Sequence, residues 1–251
     1  MLPKIREILR GIWIVAGLSI TAWMYAGFQT VDVGPDVLRG SDRVEVVVSD
    51  SGLGFRGRLE AKRVGLIFLP GGLVDPLAYA PLMRGIAEAG YEARLVYFPL
   101  RCACTESQIA QVFRSVRATI ESEPETAWVL GGHSRGGMLT ARYAHEVGTN
   151  GLSGLVLVGT THPRDFSLAG LTLPITKVYA SNDGVAPYAK MRHNAELLPA
   201  ATRWVGIEGG NHVQFGYYRH QFGDDRATIS RAEQQAALKA ALVSLLAGVR
   251  R

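Results

Sequence analysis

The sequence contains very few cysteines. Only Cys102 and Cys104 occur among its 251 residues, and a single residue separates them. Two ligands in a C-x-C spacing are too few for a structural zinc, and a disulfide across one residue would be strained. We therefore expect the two side chains to pack unbonded in a loop. Two cysteines alone leave the redox compartment undefined.

Long runs of charge of one sign are also absent. The 27 lysines and arginines are interleaved with 22 acids, which leaves a formal net charge of +5 and a pI near 9.4. Proteins that bind nucleic acid collect basic residues in a patch or carry a recognisable motif. This sequence has neither, so we expect no nucleic-acid partner.

Internal repeats and low-complexity stretches are missing as well. A composition of 47% hydrophobic and 20% charged residues is that of an ordinary globular protein rather than of a disordered one. A chain of this length suits one domain with a single large core, or one domain with a short appendage.

One long uncharged segment lies near the N-terminus. Residues 11–28 read GIWIVAGLSITAWMYAGF, which is near the lower limit for a helix that spans the hydrocarbon core of a membrane. Three bases precede this segment: Lys4, Arg6 and Arg10. Two acids, Asp32 and Asp36, follow it before the next base. The asymmetry predicts a single-pass protein of the cell membrane, with the later domain on the outer (periplasmic or extracellular) face.

A cleaved signal peptide is the alternative for this segment. Signal peptides end in a small-x-small site, which Met24, Tyr25 and Ala26 do not form, and the apolar run is longer than most signal-peptide cores. We therefore expect residues 1–30 to form an uncleaved membrane anchor. Residues 31–43 then form a linker, and residues 44–251 form one globular domain.

Strand and helix patterns alternate through that domain. The predicted strands cover residues 44–49, 54–59, 64–69, 92–98, 128–131, 155–158, 175–180 and 203–207, the first two as a hairpin. The predicted helices cover residues 77–89, 107–122, 136–147, 188–198 and 232–249. The alternation predicts an α/β fold with a doubly wound, mostly parallel sheet and helices on both faces. In such a sheet, functional residues lie at the carboxyl ends of the strands.

A glycine-rich turn follows the fifth predicted strand. Gly132-His133-Ser134-Arg135-Gly136 fits the pattern G-x-S-x-G between an apolar strand and a helix. In this setting a serine is held in a tight, strained turn with its hydroxyl exposed, and the helix N-terminus supplies a partial positive charge. The pattern predicts that Ser134 is a nucleophile. An ordinary glycine-rich turn is the alternative.

A serine hydroxyl needs a base, and the base needs a carboxylate that orients it. In this setting the expected chain order is serine, acid and histidine, with the last two each after its own strand. Asp183 follows the seventh predicted strand and His212 follows the eighth. The order predicts a Ser134, Asp183 and His212 triad, with Asp165 and His220 as the reserve acid and base. A turn-forming aspartate and an ordinary loop histidine are the alternatives.

An oxyanion formed during acyl transfer requires two backbone N–H donors. One is expected from Arg135, the residue after the serine, and the other from the loop after the third strand. Glycines in that loop allow close approach of the backbone, so Gly72 or Leu73 is the second donor. His133 is expected to support the turn rather than to act as a base.

With these motifs, the sequence resembles the α/β-hydrolase superfamily from about residue 44 to residue 249. The segments GGHSRGG, SNDGVAP and IEGGNHVQFG are similar to its nucleophile, acid and histidine segments. Longer stretches resemble small, lidless bacterial members near the dienelactone-hydrolase-like branch. The resemblance implies the α/β-hydrolase fold and cleavage of an ester or related acyl bond of a small molecule. Dienelactone hydrolases have a cysteine in place of Ser134, and many esterases have a histidine in place of Pro70.

Other features of the sequence bear on whether the site is covered and whether it holds a metal. About sixteen residues separate the sixth and seventh strands, too few for a helical lid, so we expect an open site. Asp224 and Asp225 are expected to form a solvated turn rather than a metal site, and no metal or cofactor is expected.

A membrane-tethered binding protein without turnover is an alternative function, although a complete triad argues against it. An acyltransferase or thioesterase could use the same triad.

Overall fold

The computed structural model describes residues 2–58 and 62–249. Its centre is one sheet of eight strands: β1 (Val44–Ser49), β2 (Gly52–Gly57), β3 (Val64–Leu69), β4 (Glu92–Val96), β5 (Ala127–His133), β6 (Leu152–Val158), β7 (Ile175–Ala180) and β8 (Arg203–Ile207). Their spatial order is β1-β2-β4-β3-β5-β6-β7-β8. The β1–β2 and β2–β4 pairs are antiparallel, and all the other pairs are parallel. The predicted fold class is confirmed.

Helices cover both faces of the sheet. They are α2 (Ala80–Glu88), α3 (Glu106–Ser122), α4 (Arg135–Glu146), α5 (Tyr188–His193) and α6 (Arg231–Gly248), and a further helix, α1 (Leu2–Gly27), precedes the first strand. Alternate residues of β3 enter opposite cores: Leu66 packs in the core of α2 and α6, and Ile67 packs in the core of α3 and α4. Two hydrophobic cores therefore hold the sheet in a three-layer arrangement.

Several element boundaries differ from the predicted ones. The hairpin pairs Ser49 with Gly52, so β2 begins two residues earlier than predicted, while residue 59 lies outside the described residues. The predicted helix 77–89 is a 3-10 turn (Pro76–Tyr79) followed by α2, because a proline near the start of each segment favours two helix beginnings. The predicted helix 188–198 is likewise α5 followed by a 3-10 turn (Ala195–Leu197).

The two cysteines lie side by side. The side chains of Cys102 and Cys104 face each other across Ala103. Ala103 has a left-handed backbone, with φ 49°, which reverses the chain between them. The two Cα atoms therefore lie 5.1 Å apart, within the range that disulfides occupy.

A lysine is buried within the sheet. Lys177 of β7 has 1% of its surface exposed, and its Nζ donates a hydrogen bond to the carbonyl oxygen of His162 at 2.5 Å. Burial, with a smaller effect of Arg164, lowers the pKa of Lys177 to about 7.

Helix α1 differs from the others because its residues 5–26 are exposed. Its stretch Ile5–Gly27 has 23 residues and a mean hydropathy of 1.4, so it is long and apolar enough to cross a membrane. A signal sequence near the N-terminus has the same properties. Directly after the helix, Phe28 is buried in the core that α2 and α6 line. Val31 donates its N–H to the carbonyl oxygen of Tyr217.

Candidate active site

Ser134 lies in the turn between β5 and α4, at the carboxyl edge of the sheet. Its backbone has φ 52° and ψ −112°, a conformation that costs energy for any residue with a Cβ. The Ser134 N–H donates to the carbonyl oxygen of Val158 at 2.9 Å, which fixes the turn to the end of β6. The side chain is only half-buried. The structure therefore has the strained strand–turn–helix geometry that the motif predicts.

The two motif glycines are required by close contacts between backbones. A Cβ atom on Gly136 would overlap the carbonyl group of Leu69, and one on Gly132 would overlap the carbonyl group of Gly136. Glycine is the residue that allows this approach. The spacing of the motif thus follows from the packing of β5 and α4 against the end of β3.

Asp183 and His212 form a buried pair. The Nδ1 atom of His212 lies 2.9 Å from Oδ2 of Asp183, and neither side chain is exposed. The N–H groups of Val185 and Ala186 donate to the other carboxylate oxygen, at 3.0 and 2.6 Å, and hold it in place. Because an ionised carboxylate only accepts hydrogen bonds, the ring donates through Nδ1 and is left with an acceptor at Nε2. That Nε2 atom is buried and has no hydrogen-bond partner among the described residues.

The structure brings this pair close to the turn that holds Ser134. The ring of His133, the residue before Ser134, lies 4.4 Å from the ring of His212 between centroids. The three predicted triad residues therefore lie at one edge of the sheet, after β5, β7 and β8.

His133 and Tyr79 form a second buried network. The hydroxyl of Tyr79 lies 2.7 Å from Nδ1 of His133 and accepts a hydrogen bond from the N–H of Gly71 at 3.0 Å. The hydroxyl proton is then available to Nδ1, so His133 carries its own proton on Nε2. Burial and then the neighbouring His212 hold the pKa of His133 well below its usual value. Burial therefore favours the neutral form of His133.

The loop after β3 lies against the residue that follows the serine. A Cβ atom on Gly72 would lie 3.2 Å from the Cβ of Arg135. The N–H of Leu73 donates to the carbonyl oxygen of Arg101 at 2.5 Å, and the N–H of Gly71 donates to Tyr79. No hydrogen bond occupies the Gly72 N–H within the described part of the chain.

Asp224 is a site residue that the sequence analysis missed. It is not in a solvated turn, because its Oδ1 accepts the N–H of His212 at 3.1 Å and that of Gly184 at 3.3 Å. Its Oδ2 accepts the N–H of Val213 at 2.9 Å. Asp224 therefore joins the loop after β7, which carries Asp183, to the loop after β8, which carries His212. Burial raises its pKa, and the hydrogen bonds from Val213 and His212 oppose that rise.

The reserve residues lie elsewhere. Asp165 is exposed on the segment between β6 and β7, and His220 stacks on Trp23 of α1 with ring centroids 4.2 Å apart. All of residues 159–174 are described, and they contain no helix, so this connection forms no helical lid. Within the described residues, no three His, Cys, Asp or Glu side chains are grouped so that they could hold a metal ion.

Known proteins share this architecture. Solved structures similar to the chain include an alpha-beta serine hydrolase homologue from Coxiella burnetii, with 14% identity over 83% of this chain and 99% of that one and a TM-score of 0.56. A dienelactone hydrolase-like protein from Klebsiella pneumoniae has 14% identity over 78% and 92%, with a TM-score of 0.56. A hormone-sensitive lipase from a metagenome library has 14% identity over 84% and 86%, with a TM-score of 0.62.

Because these sequence identities are low, the three structural similarities establish a shared fold and not a shared activity. A search of curated proteins finds no match to the chain. The sequence profile of the alpha/beta hydrolase family matches residues 65–236, more than half of the chain and the part that contains all three candidate triad residues. The chain therefore belongs to the alpha/beta hydrolase family.

Proposed function

We propose that the protein is a serine hydrolase that cleaves an ester or related acyl bond of a small molecule. The observation that carries this proposal is the buried His212–Asp183 pair. It leaves the Nε2 acceptor of His212 unpaired beside the turn that holds Ser134 in a strained conformation. A histidine in this tautomer can take a proton from a serine hydroxyl.

In the proposed reaction, the Oγ atom of Ser134 attacks the carbonyl carbon while His212 Nε2 takes the hydroxyl proton. His212 returns the proton to the leaving alcohol as the ester bond breaks, which leaves an acyl group on Ser134. Water then attacks the acyl-enzyme with the same proton transfers, and the acid is released. Asp183 stabilises the imidazolium that forms in each step.

The negative oxygen of the intermediate needs two N–H donors. We propose the N–H groups of Arg135 and Gly72, because the Leu73 N–H is already bonded to Arg101. An acyltransferase or thioesterase would form the same acyl-enzyme, and analysis of the products separates these activities from ester hydrolysis.

A fluorophosphonate probe tests the nucleophile. The probe should label the wild type and leave Ser134→Ala unlabelled, and p-nitrophenyl ester hydrolysis should fall by about three or more orders of magnitude. Ser107→Ala, which changes an exposed serine of α3, is the matched control and should behave as the wild type. Equal labelling of Ser134→Ala and the wild type would refute the assignment.

We further propose that α1 is a single membrane span and that residues 44–251 form the catalytic domain on the outer face. The length and hydropathy of Ile5–Gly27 support the span, and the charges on either side of it support the orientation. The protein should stay in the membrane fraction after alkaline carbonate washing, and protease added to cells or spheroplasts should digest the domain. Protection until lysis contradicts the orientation, and a soluble product that starts near Gly27 indicates a cleaved signal peptide.

A further inference from the structure

The end of α1 is fixed to the catalytic edge of the domain. The carbonyl oxygen of Gly27, the last residue of the helix, accepts the N–H of Arg219 at 2.9 Å and that of His220 at 3.3 Å. Trp23, one turn earlier, stacks on the ring of His220 and accepts a hydrogen bond from its Nε2 at 3.2 Å. The helix therefore ends on the loop that follows His212.

The chain then continues directly into the other half of the site. Phe28 is 8% exposed, and its carbonyl oxygen accepts the N–H of Asp75, in the loop after β3, at 2.9 Å. The guanidinium of Arg101 bonds to the Gln29 side chain at 3.2 Å and to the carboxylate of Asp75 at 3.1 Å. The residues that directly follow the candidate membrane span are therefore bonded to the loops that surround the candidate active site.

The same loops expose large apolar side chains. Leu100 is 84% exposed and Phe222 is 80% exposed, the highest values for large hydrophobic residues in the described chain. Leu73, next to the proposed oxyanion donor, is also exposed. Exposure of large apolar side chains to water is unfavourable, so these three side chains favour contact with an apolar partner.

These three side chains belong to the loops that are joined to α1. Leu100 precedes Arg101, which bonds to Gln29, and the Leu73 N–H donates to the carbonyl oxygen of Arg101. Phe222 follows two residues after His220, which stacks on the helix. Leu100 and Leu73 also have left-handed backbones, with φ 51° and 65°, so the fold holds them in conformations that non-glycine residues avoid.

The length of the helix bears on where this surface would lie. The 23 residues of Ile5–Gly27 rise about 34 Å, close to the roughly 30 Å of a hydrocarbon core. If the helix spans the membrane, its last turn lies at the bilayer surface. The loops bonded to that turn then lie among the lipid headgroups.

We propose that the surface formed by Leu73, Leu100 and Phe222 docks on the phospholipid bilayer, so that the active site faces the membrane and takes an amphiphilic ester with a long acyl chain from it. The choice of substrate rests on the proposed hydrolase activity, and the docking rests on the proposed membrane span. The surface continues from the helix that enters the bilayer, which favours lipid over a second copy of the chain or another protein.

Depth measurement tests the docking without reference to activity. Leu100→Cys, Phe222→Cys and Asn150→Cys would each carry a nitrobenzoxadiazole label in the full chain, reconstituted into phosphatidylcholine vesicles. Asn150 is exposed in the turn before β6, at the opposite edge of the sheet. Lipids with a nitroxide near the headgroup should quench the labels at positions 100 and 222 and leave the label at position 150 bright. Equal quenching at all three positions overturns the proposal. The proposal is also overturned if the labels at positions 100 and 222 become protected from quenching as the protein-to-lipid ratio rises, because that result indicates contact with a second copy of the chain.

Activity on two substrates tests the membrane-facing site. The Leu100→Ser, Phe222→Ser double variant should hydrolyse a long-chain fluorogenic ester in vesicles about tenfold more slowly than the wild type, with p-nitrophenyl acetate hydrolysis within about twofold. The matched Leu100→Met, Phe222→Leu variant keeps the apolar surface and should retain both activities. An unchanged rate on the vesicle ester in the serine variant overturns the inference about the substrate. A wild type that hydrolyses neither ester while its labels are quenched contradicts the proposed function and leaves the docking intact.

Discussion

Asp224→Asn is the substitution that most directly tests how the candidate site is held together. The carboxylate accepts backbone N–H groups from two loops, those of His212 and Gly184 on Oδ1 and that of Val213 on Oδ2. The substitution keeps the shape of the side chain and replaces one of its acceptor oxygens with an NH₂ donor. Whichever way the amide is oriented, at least one of these N–H groups then faces a donor.

The size of the effect follows from this count. A buried N–H without an acceptor costs about 1–3 kcal/mol, and removal of a charge whose burial is unfavourable offsets part of that cost. We expect a net loss of about 1–2 kcal/mol in the free energy of unfolding. The groups that lose their acceptor lie on or beside the backbone of His212, and misplacement of a catalytic group by about 1 Å lowers a rate about a hundredfold. We therefore expect kcat to fall between about ten- and a hundredfold, with a smaller change in KM.

The assay is p-nitrophenyl acetate hydrolysis together with thermal unfolding of the same preparations. Asp225→Asn is the matched control, because Asp225 is adjacent and exposed. It should change kcat by less than about twofold and the free energy of unfolding by less than about 0.5 kcal/mol. If Asp224→Asn is as active as the control, the position of His212 does not depend on this carboxylate, and the reasoning is refuted even if stability falls.

Three further substitutions address other parts of the molecule. Asp183→Asn should lower kcat by about three or more orders of magnitude, because the amide favours the wrong histidine tautomer, and Asp165→Asn should have little effect. The reverse pattern would place the acid after β6. Tyr79→Phe leaves the buried Gly71 N–H without an acceptor and should lower kcat about tenfold with KM little changed, whereas unchanged kinetics would show that the oxyanion loop holds its shape unaided. Lys177→Met should remove a pH dependence of stability. Because the pKa of this amine is about 7 in the folded protein against an ordinary value of 10.5, only the unfolded chain keeps the proton between these values. Wild-type stability should therefore rise with pH in that range by up to about 1.4 kcal/mol per pH unit relative to the variant, and identical slopes in thermal melts at pH 7.5 and 9.5 would contradict this.

The sequence by itself determines the order and type of the elements. Three strands, β3, β7 and β8, have the predicted bounds. Each is a short run of strand-forming residues that ends where glycine, proline or polar residues begin. The motif at Ser134 is equally plain in the sequence, because its glycines are needed where the backbones of β3, β5 and α4 meet. Asp183 and His212 follow their strands, and parallel strands present their carboxyl ends at one edge of a sheet. This is why chain order alone places the three candidate triad residues together.

The tertiary structure alone decides which groups the loops bring into contact. The sequence leaves Gly72 and Leu73 equal as candidate donors, and only the fold shows that the carbonyl oxygen of Arg101 accepts the N–H of Leu73. The sequence likewise gives Asp224 no partner, although the fold places it against the backbone of His212.

The contact between Tyr79 and His133 joins residues 54 positions apart. Hydrophobic periodicity reports how each element faces the core, and it carries no information on the order of strands in the sheet. Hydrogen bonds between loops depend on that order and on the backbone conformation of each loop. They therefore exist only once the sheet has been assembled.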